Sequence, residues 1–199
     1  MVKFPQSFLI AAVVLSIVLS GCVAKQPALA TSPSDLEGME VSATGEHTSL
    51  VQSIPVGNTK GFTAPDFTIE TINGTIVSLQ QLTSDKPTLL YFWATWCPYC
   101  KNDLAEAEKV YPEYKDKVHF LAIDLDSKET ASQIAAYQEQ HGHSLLQFAA
   151  ADVRVLRDYG ITSTTTKIAI DRNRLILWRG SGEVDEKTWR IILDGLASS

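Results

Sequence analysis

The most restrictive feature of this chain is a change of pattern within a dozen residues. Thr88-Leu-Leu-Tyr-Phe-Trp93 is a nearly continuous apolar run, and four residues later Cys97-Pro98-Tyr99-Cys100 begins a stretch that reaches Val110. The run reads as a strand buried on both faces. The stretch reads as a helix, with Pro98 in its first turn and Pro112 past its end. Two thiols three residues apart therefore sit where a helix starts. That spacing can bring the two Cα atoms within the ~4.4–6.8 Å a disulfide needs.

The position also makes chemistry accessible. Free backbone N–H groups and the helix dipole favour negative charge on the first cysteine, so its thiolate should form below the free value of about 8.5. An exposed Cys97 thiolate can attack a partner disulfide, and Cys100, a turn further in, can displace the captured sulfur. A zinc site would want four ligands, but there is no second CxxC, and His47, His119, His141 and His143 complete no recognised spacing. His119 lies in a strand pattern; His141 and His143 flank a helix-ending glycine.

The third cysteine needs its own account. Phe8 to Leu19 is an almost unbroken apolar run of 12 residues behind Lys3. A membrane-spanning helix needs about 20 such residues, so residues 1–21 read as a secretory signal. Leu19-Ser20-Gly21-Cys22 resembles the lipobox of bacterial lipoproteins, which implies lipidation at Cys22 and a membrane-held extracytoplasmic chain. Residues 22–55, with Pro27, Pro33 and Pro55 and no sustained period, read as a flexible tether. Residues 56–199 form the expected domain. Its acidic balance, net charge -6 for the full chain, gives no electrostatic reason to bind nucleic acid.

Along that domain, Phe67 to Ile69 and Thr75 to Leu79 read as strands joined at Asn73-Gly74. Val118 to Asp124 is a further buried strand. Lys128 to His141 reads as a helix with a Thr130/Gln133 capping box and a stop at Gly142. Val153 to Tyr159 is a short helix. Lys167 to Asp171 and Leu175 to Arg179 are strands, and Asp185 to Leu196 is a closing helix with Trp189, Ile192, Leu193 and Leu196 on one face. Strands alternating with helices predict an α/β three-layer fold: a central mixed sheet, helices on both faces and an N-terminal hairpin.

The run Tyr91-Phe-Trp-Ala-Thr-Trp-Cys-Pro-Tyr-Cys100 resembles the active-site segment of thioredoxin-fold proteins, specifically the TlpA/ResA group of membrane-anchored thiol–disulfide oxidoreductases. Ala64-Pro65-Asp66-Phe67, Tyr159-Gly160-Ile161 and Ile168-Ala-Ile-Asp171 resemble flanking segments of that group. The resemblance implies a thioredoxin-like fold and disulfide exchange with protein partners in the bacterial cell envelope. It further implies a membrane-bound electron donor or acceptor, no cofactor, and in some members service to cytochrome c biogenesis. Carried over by position, Cys97 is the nucleophile and Cys100 the resolving thiol, with Trp96, Pro98 and Tyr99 shaping the surface around them. Asp103 falls at an acidic position thought to influence thiol protonation; its plainer reading is a carboxylate favoured by the helix dipole. Tyr91 stands where thioredoxins carry a buried aspartate.

One departure stands out. Thr165, preceded by Thr164, falls where the family carries a cis-proline, and no proline follows Pro112 anywhere in the chain. A non-proline cis bond costs about 2.5–4 kcal/mol, so Thr164–Thr165 is expected to be trans, with the Thr165 hydroxyl facing the sulfurs. Without the proline's steric screen the dithiol could instead serve as a thiol-based module for a metal or an iron–sulfur cluster.

Overall fold

The computed structural model describes residues 53–199. The expected signal segment, Cys22 and nearly all of the expected tether lie outside the described residues.

The sheet has five strands in the order β5-β4-β3-β6-β7. β3 (Thr88–Trp93) is central, parallel to β4 (His119–Asp124) and antiparallel to β6 (Thr166–Ile170). β5 (Gln147–Ala149) continues the parallel side, and β7 (Ile176–Gly180) pairs antiparallel with β6. A separate hairpin, β1 (Thr68–Glu70) and β2 (Ile76–Ser78), turns at Asn73-Gly74. Gly74 has φ +81, the left-handed conformation that suits glycine there.

Alternation along β3 divides the core. Leu89, Tyr91 and Trp93 face one layer with Leu104 and Ala107 of α2 (Pro98–Val110), Ile134 of α3 (Ala131–His141), and Trp189 and Leu193 of α5 (Glu186–Ala197). Leu90 and Phe92 face the other, with Leu79 and Leu82 of α1 (Leu79–Asp85) and Val155 of α4 (Val153–Asp158). All six β3 residues are buried, as a strand covered on both faces requires. The mixed sheet, helices on both faces and hairpin are those expected.

Three local readings need correction. Thr75 to Leu79 does not end as a strand: Ser78 caps α1, with Gln81 returning to the Ser78 backbone, so Leu79 is the first helical residue. α3 begins at Ala131 rather than Lys128, because Thr130 is itself the capping residue and Lys128 N–H is held in a turn by Asp126. β5 was not anticipated. The expected stop at Gly142 is present, with φ +72.

Candidate active site

The end of β3 and the start of α2 place the two thiols. Cys97 N–H bonds the Ala94 carbonyl at 3.2 Å, closing the turn that follows the strand. Cys97 then has extended backbone and is the N-cap of α2, with Pro98 at the first helical position. Its Sγ accepts the Cys100 amide at 3.1 Å, so a helix N-terminal N–H points at the sulfur. The two cysteines are joined as a disulfide, their Cα atoms 5.2 Å apart.

The expectation of an exposed nucleophile needs correction. Cys97 is 2% exposed and Cys100 is fully buried, whereas Trp96 and Tyr99 are 60% and 62% exposed. The Cys97 Sγ at the N-cap is turned onto the helix end, where it meets the Cys100 amide. Cys97 is reached through a groove of about 500 Å³ that it lines with Trp96, Pro98, Lys101, Tyr137 and His141. Trp96 Nε1 donates to Asp126 at 2.9 Å, which ties the indole to the loop after β4.

A carboxylate cluster supports that turn. Glu129 accepts the Thr95 N–H at 3.0 Å and also takes the Thr95 hydroxyl. Asp124, at the end of β4, accepts the Asp126 N–H at 2.9 Å through Oδ1, while its buried Oδ2 has no partner among the described residues. Burial, with the carboxylates of Glu129 and Asp126 nearby, pushes Asp124 up to about 7.

Asp103 lies one turn beyond Cys100 and is fully buried. Its Oδ2 accepts from Lys167 Nζ at 2.6 Å and from the Tyr91 hydroxyl at 3.1 Å; its Oδ1 accepts the Val184 N–H at 2.8 Å. Trp189 Nε1 donates to the Asp103 carbonyl at 3.0 Å. The reading of Asp103 as a carboxylate favoured by the dipole alone does not describe it: these partners do. Loss of water raises the Asp103 carboxyl above its ordinary range despite Lys167, and lowers the Lys167 ammonium despite Asp103.

Thr164 and Thr165 lie at the same end of the sheet. Thr166 pairs with Phe92, so Thr165 is level with Trp93, just before the cysteine turn. No described peptide bond is cis, and Thr165 has φ +58. Its hydroxyl was expected to face the sulfurs. It donates instead to the Thr164 carbonyl at 2.6 Å and accepts the Gly182 N–H at 3.0 Å, because the left-handed backbone turns it toward the loop after β7. Among the described residues no three His, Cys, Asp or Glu side chains converge as metal ligands.

Sequence reasoning brought forward Cys97, Cys100, Trp96, Pro98, Tyr99, Asp103, Thr164 and Thr165 but missed Lys167, Asp124, Asp126 and Glu129. The acids had a signal, since they lie at and just after the end of β4; Lys167, near the start of the strand Thr166–Ile170, had none of its own.

Residues 61–179 match the AhpC/TSA family model. The chain is 32% identical over 122 residues to the thioredoxin-like protein YneN of Bacillus subtilis, covering 61% of this chain and 71% of that one. It is 30% identical over 127 residues to the thiol-disulfide oxidoreductase ResA of Bacillus anthracis, covering 62% and 70%. The solved pneumococcal exposed lipoprotein thioredoxin (Etrx1) of Streptococcus pneumoniae superposes with a TM-score of 0.58 at 20% identity, covering 66% of this chain and all of that one. The chain therefore belongs to the AhpC/TSA family, and within it is a thiol–disulfide oxidoreductase of the ResA type with the pair Cys97 and Cys100.

Proposed function

We propose that this protein is an extracytoplasmic, lipid-anchored reductase of protein disulfides. The observation that carries the reading is Cys97 at the N-cap of α2, its Sγ accepting the Cys100 amide. In the reduced protein that N–H and the helix end favour the Cys97 thiolate, the form that attacks sulfur. The thiolate attacks one sulfur of a partner disulfide, forming a mixed disulfide and releasing the partner's other sulfur as a thiolate. Asp103 then accepts the Cys100 proton, and the Cys100 thiolate attacks Cys97 Sγ. The Cys97–partner bond breaks as the Cys97–Cys100 bond forms. Two electrons have passed to the partner, and a membrane-bound dithiol donor restores the pair. Trp96 and Tyr99, both exposed, frame the approach, and Thr164 lies on the loop before β6.

Residues 1–21 serve as the signal and residues 22–55 as the tether of the domain from residue 56. Cys22 carries the lipid at the bacterial envelope. The lipobox-like Leu19-Ser20-Gly21-Cys22 supports this, as does the exposed-lipoprotein description of the pneumococcal protein of the same fold. No helix among the described residues is long and apolar enough to cross a membrane.

The test is capture. Cys100→Ser should accumulate mixed disulfides with envelope proteins, and Cys97→Ser should accumulate none. Cys22→Ser should leave the membrane fraction while keeping insulin-reductase activity. Capture through Cys100 in the absence of Cys97 would reverse the assigned roles. A Cys97/Cys100 potential more oxidising than that of the partners it captures would reverse the direction of electron flow.

A further inference from the structure

Lys167 is fully buried, and its ammonium meets no solvent. It contacts three separate parts of the chain: the Asp103 carboxylate at 2.6 Å, the Thr165 carbonyl at 3.2 Å and the Gly182 carbonyl at 2.7 Å. It also lies over the rings of Tyr91 and Trp189, 5.1 and 5.2 Å from their centroids. A lone buried ammonium is very costly, so such a residue persists only where its partners are fixed around it. All three partners belong to the cysteine end of the sheet. Asp103 is one turn past Cys100, Thr165 is level with Trp93, and Gly182 donates its N–H to Thr165.

We propose that Lys167 is a positioning residue of the dithiol centre: it fixes the Asp103 carboxylate, one turn past Cys100, and ties it to the loop that lacks the proline. This rests on the proposed role of Asp103 as acceptor of the Cys100 proton. The charged and titratable groups around Asp103 come from several elements: Lys167 on β6, Tyr91 on β3, and Glu183, whose charge reaches Lys167 from the loop before α5. Lys167 contributes the cation in that set. It is what keeps a buried carboxyl able to ionise and so to accept a proton. Without it, the lowering by Lys167 is lost and burial raises the Asp103 carboxyl further, which disfavours the ionised form that accepts the proton.

The experiment is single-turnover reduction of a protein disulfide from pH 5 to pH 9. It follows release of the captured partner, with wild type, Lys167→Met, Lys167→Gln, Asp103→Asn and the Lys167→Met/Asp103→Asn double variant. The double variant removes both charges, which avoids leaving one unpaired in the core. Both Lys167 variants should slow release about tenfold or more at pH 7 and recover toward wild type as pH rises, because the acid limb moves upward by a unit or more. The double variant should match Asp103→Asn alone, since Lys167 acts through Asp103. A Lys167 variant with the wild-type limb, beside an impaired Asp103→Asn, overturns the proposal and leaves Asp103 its role. Effects that multiply in the double variant also overturn it. An Asp103→Asn variant with the wild-type profile overturns the Asp103 reading and the proposal with it.

Discussion

Asp124→Asn should stabilise the protein, and by more as pH rises. Asp124 is fully buried at the end of β4, one oxygen on the Asp126 amide and the other without a partner. A carboxyl that ionises near 7 in the folded chain, against its ordinary 3.8, disfavours the charged native form by about 4 kcal/mol at pH 8. Relaxation around a charged group lowers that ceiling, so the expected gain is about 2–4 kcal/mol. The sign follows from proton counting. Below pH 4 the folded and unfolded chains both hold the proton. Between about 4 and 7 only the folded chain does, so wild-type stability falls as pH rises through this window and stays low above it. Asparagine keeps an oxygen for the Asp126 N–H, gains a donor that can reach Glu129, and removes the titration. Urea denaturation of the oxidised protein, followed by tryptophan fluorescence at each pH unit from 4 to 8, measures the difference. The curves should be closest at pH 4 and diverge by roughly 1 kcal/mol per unit up to 7. A constant gap, or one that closes as pH rises, would show that ionised Asp124 is native-like and refute the reasoning. Glu129→Gln is the companion variant: removing a neighbouring negative charge should lower the pH at which Asp124 ionises and narrow the window of falling stability.

Three further outcomes follow from other contacts. Thr165→Pro should destabilise by about 3 kcal/mol or more, because the proline ring requires φ near −65 where Thr165 has φ +58, and the Gly182 N–H loses its acceptor; unchanged thermal stability would mean that the loop rebuilds freely. Trp189→Phe removes the buried indole donor to the Asp103 carbonyl and should cost about 1–2 kcal/mol, read as a lower urea midpoint with the same m-value. Ser78→Ala breaks the capping box of α1 and should cost about 1 kcal/mol in the same assay.

The parts of the fold legible in the sequence are those whose signal is local and unmixed. β3 is apolar throughout because both faces are covered, and α2 opens at Pro98 as its proline implies. Gly142 and the Thr130/Gln133 pair mark the ends of α3 with their own hydrogen bonds. Where two signals overlapped, the stronger masked the weaker. Alternation from Thr75 ran on through Ser78-Leu79, although Ser78 and Gln81 already carried a helix start. β5 is three residues long and is held by pairing to β4, so little in its own sequence announces it. The sulfur pair was legible for the local reason: both thiols and the start of their helix lie within four residues. Lys167 was not, because its meaning lies in Asp103, 64 residues away, and a lysine near the start of a strand otherwise reads as a solvated end.

Thr165 in place of the proline and the buried Lys167 meet in the loop before β6. A proline would hold that loop through its own ring, independent of what surrounds it. Threonine cannot, and a β-branched residue in the left-handed region costs about 1–3 kcal/mol. The conformation persists because other groups oppose that cost: the Gly182 N–H on the Thr165 hydroxyl, the Thr166 hydroxyl on the Ser163 carbonyl at 2.9 Å, and the Lys167 ammonium on the Thr165 carbonyl. A neutral hydrogen bond contributes about 1 kcal/mol and one from a charged donor about 1.5–3, so together they exceed the strain. Lys167 supplies the charged member of that set, and its ammonium is itself held by Asp103. One buried ion pair, Lys167 with Asp103, thus joins the helix that carries Cys100 to the loop before β6, and the proton transfer proposed for Asp103 would rest on it.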